Sequence, residues 1–304
     1  MTGLMTQVVT KAQGLLRKPK AVLQLAAKRD INEILRLYYE EGWIDRGRPD
    51  LEFLLDSSPN SCFKFTVNGE IVGVTFATAA GDGIYYPNGN LIGAKFRGTV
   101  NYFNEGIKYN EYLKRVAKVE VIFATRSAIP LYRELEYEAI CDYRGALVDT
   151  SGAARQPARA RLATESDLPS VFAYSRRVYR VDRERLIRHF LDRGLTRVFV
   201  IRAQTGDVEA YAMVRKHLKG ESYLLGPVVA EDPHSAADVV AAAAQVYPGQ
   251  ILSIEASAKQ VESLLACGVC RAWDDTYTLK MFRGDRNLLE DEGRIYGIFS
   301  RYIS

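Results

Sequence analysis

The sequence predicts an α/β protein built as two tandem copies of one fold, and three observations predict it. The chain has 304 residues, room for two domains of ordinary size, and 47% of them are hydrophobic, enough for packed cores and too many for a disordered chain. Stretches of helical period alternate with short strand-like runs. The third observation is an internal echo. Gln24-Leu25-Ala26-Ala27 followed by Asp30-Ile31 returns as Arg161-Leu162-Ala163-Thr164 followed by Asp167-Leu168, and the same spacing carries Gly69-Glu70-Ile71 onto Gly206-Asp207-Val208. Leu91-Ile92-Gly93 returns as Leu224-Leu225-Gly226 after a shorter loop, and residues 119–125 return as 251–257. One order of elements with drift confined to loops marks tandem copies. The organisation expected is a basic tail over 1–20, a first domain over 21–149, a linker over 150–160, a second domain over 161–284 and a terminal helix over 285–304.

The tail is acid-free and carries Lys11, Arg17, Lys18 and Lys20. It reads as a tail of a cytoplasmic protein or as a segment targeting the mitochondrial matrix. In the first domain, Ile31, Ile34, Leu35, Tyr38 and Tyr39 space an amphipathic helix behind Asp30 as its cap. Residues 51–55 suggest a second short helix, ended by Ser57-Ser58-Pro59-Asn60. Strands over 62–67 and 71–78 flank an Asn68-Gly69 hairpin turn. Residues 81–90, with Tyr85, Tyr86 and Pro87, read as a loop. A strand over 91–94, a turn over 95–99, a helix over 100–114 and a buried strand over 119–125 follow. Residues 150–160, rich in Ser, Gly, Ala, Arg and Pro, lack a hydrophobic period. The second half repeats the series. Leu288, Leu289, Ile295, Ile298, Phe299 and Ile303 suggest the terminal helix.

Charge and cysteine usage exclude several classes of function. The 41 basic and 37 acidic residues nearly cancel to +4, so no concentrated basic stripe calls for nucleic acid. No apolar run is long enough to span a membrane. Four cysteines make no disulfide framework; Cys267 and Cys270 form a C-x-x-C without a second pair, and Gly268 between them reads as a helix C-cap, so no metal is expected.

The chemistry concentrates in 91–137. Leu91-Ile92-Gly93-Ala94 leads through Lys95-Phe96-Arg97-Gly98-Thr99 into a helix, a geometry that can point unpaired amides at an anion. A strand ending Ala124-Thr125 follows, and then Leu131-Tyr132-Arg133-Glu134-Leu135-Glu136-Tyr137. Together these residues resemble the core of the GNAT superfamily of acyl-CoA-dependent N-acetyltransferases, with its pyrophosphate loop, Ala-Thr strand and Leu-Tyr-x-x-Leu-Gly-Phe segment. The resemblance extends over both halves and implies two GNAT-like domains, each a mixed, mostly antiparallel sheet flanked by helices, the second a degenerate copy. It implies acetyl transfer from acetyl-CoA to a small primary amine by a monomer or homodimer.

Residue by residue, the resemblance places Ile92 and Ala94 beside the cofactor and Arg97, Gly98 and Thr99 at its pyrophosphate. Tyr132 stands where the family's phenol protonates the departing thiolate; such a group, of pKa near ~10, keeps its proton at neutral pH. Glu120, on the strand that ends Ala124-Thr125, is a candidate base or a strand-end charge. Trp43 and Asp45 fall in the segment that borders the acceptor, although a core Trp and a solvated Asp explain them as well. Val100 and Tyr102 replace loop glycines that would admit phosphate, and must crowd the loop or shift it. Glu136 replaces the glycine of Leu-Gly-Phe. In the second half the turn is Ala230-Glu231-Asp232-Pro233-His234, repulsive to phosphate, and Leu264 falls where Tyr132 would. The alternative is therefore a catalytically inactive GNAT-like protein that binds a ligand or partner.

Overall fold

The computed structural model describes residues 18–42, 47–81, 83–151, 157, 159–216 and 222–299. Nearly all of the predicted tail and much of the linker lie outside the described residues. The chain divides into two compact units. The first comprises 1–79 and 87–117, the second 80–86 and 118–304.

In the first unit, β1 (Val22–Leu25), β2 (Cys62–Val67), β3 (Glu70–Gly81) and β4 (Ile84–Ile92) are neighbours in that order. β1 and β2 pair antiparallel, as do β2 and β3. Asn68 and Gly69 make the hairpin turn with φ of +50° and +85°, the left-handed pair that a two-residue hairpin requires. Two helices, α1 (Ile31–Glu40) and α2 (Arg48–Ser57), lie between β1 and β2 in sequence, and α3 (Phe103–Val116) follows β4. α1 buries Ile31, Ile34, Leu37 and Tyr38, the stripe its spacing predicts. Asp30 caps the tight turn that precedes α1: its carboxylate accepts the Ala27 N–H at 2.8 Å and the Lys64 ammonium at 2.8 Å.

Residues 84–90 of the expected loop belong to a strand, β4. Its turn-forming residues mislead because their polar groups are satisfied across the hairpin: Asn88 donates to the Thr78 hydroxyl at 2.9 Å, and Thr75 donates to the Asn90 side chain.

The second unit holds β5 (Val119–Thr125), α4 (Ile129–Glu134) and β6 (Glu138–Val148) of the first half and all of the second half. The latter runs β7 (Arg161–Leu162), α5 (Leu168–Tyr179), α6 (Glu184–Leu191), β8 (Thr196–Arg202), β9 (Val208–Lys216), β10 (Ser222–Ala230), α7 (Pro233–Val246), β11 (Ile251–Ser257), α8 (Ala258–Ala266) and β12 (Cys270–Gly284). The two halves thus share one order of strands and helices. Their last strands are exchanged. β6 pairs antiparallel with β11 of the second half, β12 pairs antiparallel with β5 of the first, and β6 and β12 pair with each other. The strand order is β5-β12-β6-β11-β10-β9-β8-β7. The tip of β4 joins β5 in parallel at Ile84–Val119 and Tyr85–Glu120.

The apolar core of this unit packs the alanine-rich α7, whose residues 235–244 are all buried, against β8, β9, β10 and β11. Small side chains let a helix lie close to a sheet on every side, at the cost of any solvent-facing stripe.

The expected terminal helix is two 3-10 turns (Arg286–Leu288 and Glu292–Arg294) followed by β13 (Ile295–Gly297), which pairs antiparallel with β10. Asp285 and Asp291 turn the chain by accepting the N–H groups of Asn287 and Gly293 at 2.9 and 3.1 Å. Glu290 and Glu292 are drawn onto Lys280 of β12, a pairing that sequence periodicity does not register.

Candidate functional site

In the first unit, β4 ends at Ile92 and a 3-10 turn runs over Ala94–Phe96. Gly93 fixes the exit by donating to the Val72 carbonyl at 3.0 Å. Gly98 then turns the chain at φ +73°, with open space where a Cβ would stand. Val100 does not crowd this turn. Its side chain is buried with Ala21, Phe65 and Val72, and α3 begins only at Phe103. Of the two expectations for the missing glycines, the structure realises the shifted loop.

That loop satisfies its own amides. Phe96 N–H donates to Gly93, Arg97 N–H to Ala94, and both Thr99 N–H and Val100 N–H to Phe96, at 2.8–3.2 Å. Asn101 N–H donates to the Pro19 carbonyl at 2.9 Å, and the Thr99 hydroxyl to the Phe96 carbonyl at 3.0 Å. The Ala94 N–H instead donates to the Glu41 carboxylate at 2.5 Å. The Arg97 guanidinium donates to the same carboxylate and, through Nε, to the Ile92 carbonyl at 2.9 Å. Glu41 thus holds the anionic position at which the sequence predicts a phosphate, a contact the sequence reading missed. A signal was present. Glu40 and Glu41 end α1 with no basic residue in its last turn, where the helix dipole disfavours a carboxylate that lacks a partner elsewhere.

The predicted acid and base lie together in the second unit. Thr125 ends β5 and accepts the Ala128 N–H at 2.9 Å; Pro130 opens α4. The helix closes on a Schellman motif. Glu136 N–H donates to Arg133 and Tyr137 N–H to Tyr132, at 3.1 and 2.9 Å, and the Tyr132 and Tyr137 rings meet edge-on at 5.4 Å. Glu136 takes φ +68°, the left-handed position for which the resemblance expects glycine. Half-buried Tyr132 packs against the cluster of Ile122, Ala124, Tyr137, Leu279 and Met281.

Glu120 is 2% exposed, and both its oxygens are engaged: Tyr137 donates to one at 2.5 Å and the Arg283 guanidinium to the other at 2.6 Å. Glu120 is therefore a buried ion-pair partner within β5 and not a strand-end charge. Burial pushes the Tyr137 phenol far up, and the Glu120 charge adds to that shift. Trp43 and Asp45 lie outside the described residues.

The second half closes its equivalent turn locally. Asp232 caps α7 by accepting the His234 and Ser235 N–H groups at 2.8 and 3.0 Å and the Ser235 hydroxyl at 2.7 Å. Burial raises its carboxyl, and these bonds outweigh burial to leave it lowered. Glu231 pairs with Arg177 and with Arg294 at 3.1 Å. Leu264, in the place of Tyr132, is fully buried. Gly268 ends α8 at φ +72°, as a C-cap.

A further polar group is buried in the second unit. Lys280 lies between Glu290 and Glu292; Tyr143 donates to Glu292 at 2.8 Å and Tyr86 to Glu290 at 3.5 Å. Among the described residues, no cluster of His, Cys, Asp and Glu has metal-holding geometry, and no helix is long and apolar enough to cross a membrane.

Residues 171–297 match the family model of the acetyltransferase (GNAT) domain. No curated protein sequence matches the chain. Among solved structures, a candidate acetyltransferase from Pyrococcus horikoshii aligns with a TM-score of 0.71 at 14% identity, over 93% of this chain and 95% of its own. A tandem GNAT protein from the clavulanic acid biosynthesis pathway aligns at 0.59 and 12% identity, over 86% and 98%. N-myristoyltransferase of Saccharomyces cerevisiae, solved with myristoyl-CoA, aligns at 0.62 and 10% identity, over 92% and 85%. At such identities the alignments speak for the fold, and they span both halves of the chain. Residues 171–297 thus match the GNAT acetyltransferase domain, and the two halves of the chain carry the GNAT fold in tandem.

Proposed function

We propose that the chain is an acyl-CoA-dependent N-acyltransferase whose first half takes the donor, acetyl-CoA, and whose acceptor is a small primary amine. One observation carries this reading: the Ala94 N–H and the Arg97 guanidinium converge on a carboxylate at the end of the central strand, so this turn selects an anionic group. Arg97, Gly98 and Thr99 would meet the donor's diphosphate, and Ile92 and Ala94 its thioester arm. The amine nitrogen attacks the thioester carbonyl, a C–N bond forms as the C–S bond breaks, Tyr132 gives its phenolic proton to the leaving thiolate, and the proton shed by the nitrogen passes to solvent, from which the phenol is restored. Glu120 acts through Tyr137, holding the ring against which Tyr132 packs. Trp43 and Asp45 are assigned to the acceptor side, and the protein works as a monomer or homodimer in the cytoplasm.

Calorimetric titration with acetyl-CoA tests the donor assignment, with Arg97→Glu alongside. Micromolar binding in the parent that is lost in Arg97→Glu is expected. A screen of primary amines then follows thiol release, in which Tyr132→Phe should lower kcat about 100-fold or more at unchanged donor affinity. Absence of binding at millimolar acetyl-CoA overturns the reading. It would favour a catalytically silent GNAT-like binding protein, for which the internally bonded amides of Phe96, Arg97, Thr99 and Val100 already speak.

A further inference from the structure

We propose that Glu41 is an internal competitor for the anion position of the first half, a carboxylate gate that an incoming diphosphate must displace. Two kinds of donor converge on it, a backbone amide (Ala94) and a guanidinium (Arg97), as they would on an external anion. The gate and its partner differ in exposure: the Glu41 side chain is 8% exposed and that of Arg97 53%. Arg97 is therefore already open to a ligand, while Glu41 is lodged in the turn. Glu41 stands at the end of α1, just before Gly42 at φ +74°, so the contact joins two separate segments and is not part of the turn's own folding. A second cation adjoins the same turn, since the Lys18 ammonium donates to the Gly98 carbonyl. Lys95 is committed elsewhere, to Glu70 at 2.9 Å. An entering diphosphate would thus exchange one carboxylate for a ligand of higher charge, facing Arg97, Lys18 and the Ala94 N–H.

The acyl-CoA reading supplies only the identity of the ligand. The gate itself is a claim about Glu41 and any diphosphate. Glu41→Ala and Glu41→Gln are therefore titrated with inorganic pyrophosphate and, separately, with acetyl-CoA, in low-salt buffer by calorimetry. The amide resonance of Ala94 is followed in parallel. Glu41→Ala should bind pyrophosphate on the order of 10-fold more tightly than the parent, with the Ala94 amide shifting on titration. Glu41→Gln, which keeps the side chain's size and one acceptor oxygen, should gain less. The double variant Glu41→Ala, Arg97→Glu should lose the gain. A gain for pyrophosphate without one for acetyl-CoA leaves the gate standing and removes the donor assignment. Equal or weaker pyrophosphate binding in both well-folded Glu41 variants overturns the gate and makes Glu41 a brace for the turn.

Discussion

Removing the charge of Lys280 is the sharpest test of how the second unit is held together. The side chains of Lys280 and Glu290 are 1% and 3% exposed, and Glu292, at 23%, completes the group. Burial by itself lowers the Lys280 ammonium's pKa, but the charges of Glu290 and Glu292 outweigh that and raise it. Burial likewise raises the Glu290 carboxyl, and the charge and hydrogen bond of Lys280 more than offset it, leaving it lowered. Lys280→Met keeps the aliphatic bulk and deletes the cation. Glu290 then remains buried, facing the Tyr86 hydroxyl and the more distant charge of Arg183. Breaking a buried pair from one side costs about 3–5 kcal/mol. For a unit of this size that is a fall in Tm of roughly 6–20 °C, read by scanning calorimetry at pH 7.

The pH dependence carries a sign. In the parent, Glu290 has a depressed folded pKa, so its contribution is present above the unfolded carboxylate value of about 4.3 and is lost as pH falls through the folded value. Lys280 has a raised folded pKa, so its contribution is whole below about 10.5 and is lost as pH rises through the folded value. In Lys280→Met the pKa of Glu290 rises under burial, and protonation relieves the penalty. The stability gap between parent and variant must therefore narrow as pH falls from 7 towards 4. Lys280→Met with Glu290→Gln should recover part of the loss at pH 7. A gap under about 1 kcal/mol, or one that widens on acidification, would refute the buried ion pair.

Three further outcomes are expected. Arg283→Met strands Glu120 beside Tyr137 and should cost about 3 kcal/mol in chemical denaturation, partly restored by Glu120→Gln in the double variant. Hydrogen bonds from Arg161 hold the Asp167 carboxyl far below its usual range, against burial and with help from Thr164 and Arg202; Asp167→Asn should therefore cost about 1–2 kcal/mol at pH 7, allowing for the half-exposed Arg161, and the deficit should begin to shrink as pH falls below about 3.9 and close only as pH falls through the much lower folded value. Gly284 sits at φ +109° with its would-be Cβ 2.1 Å from the Lys118 carbonyl, so Gly284→Ala should pry β12 from the start of β5 and cost about 3 kcal/mol or more in thermal unfolding.

What could be read from the sequence was local. β5 is a continuous apolar run interrupted by one glutamate, and its bounds match expectation because no competing turn residue lies within it. The Asn68–Gly69 hairpin follows from backbone chemistry alone. β4 was hidden because Pro87, Asn88, Gly89 and Asn90 carry turn chemistry, and the partners that satisfy its two asparagines, Thr78 and Thr75, come from another strand. The repeat was legible in matched residues, but the exchange of β6 and β12 was not, since no local pattern records which strand a neighbour will be. In the site, Arg97, Gly98 and Tyr132 were visible as motif positions. Glu41 and the Arg283–Glu120 pair were not, because each contact joins segments far apart in the chain.

The two halves close their anion turns in ways that differ in reversibility, and this decides which half is suited to take a donor. In the second half, Asp232 is the N-cap of a buried helix, and its carboxylate accepts two amides and a hydroxyl from residues two and three positions away. Removing it would strip the first turn of α7 of its cap, at a cost of about 1 kcal/mol for the cap alone, and would leave donors packed in a helix with no solvent-facing stripe. In the first half, the carboxylate arrives from another helix and meets an arginine that is half in water. Solvent on the arginine side weakens this pair, so on the gate proposal a ligand with more charge than one carboxylate replaces it without unfolding its surroundings. The family model matches the second half, but the anion position held by a carboxylate from another segment lies in the first. On the gate proposal, recognisable family sequence and the ligand site lie in different copies. A fold kept by its core packing does not require its phosphate turn to stay open.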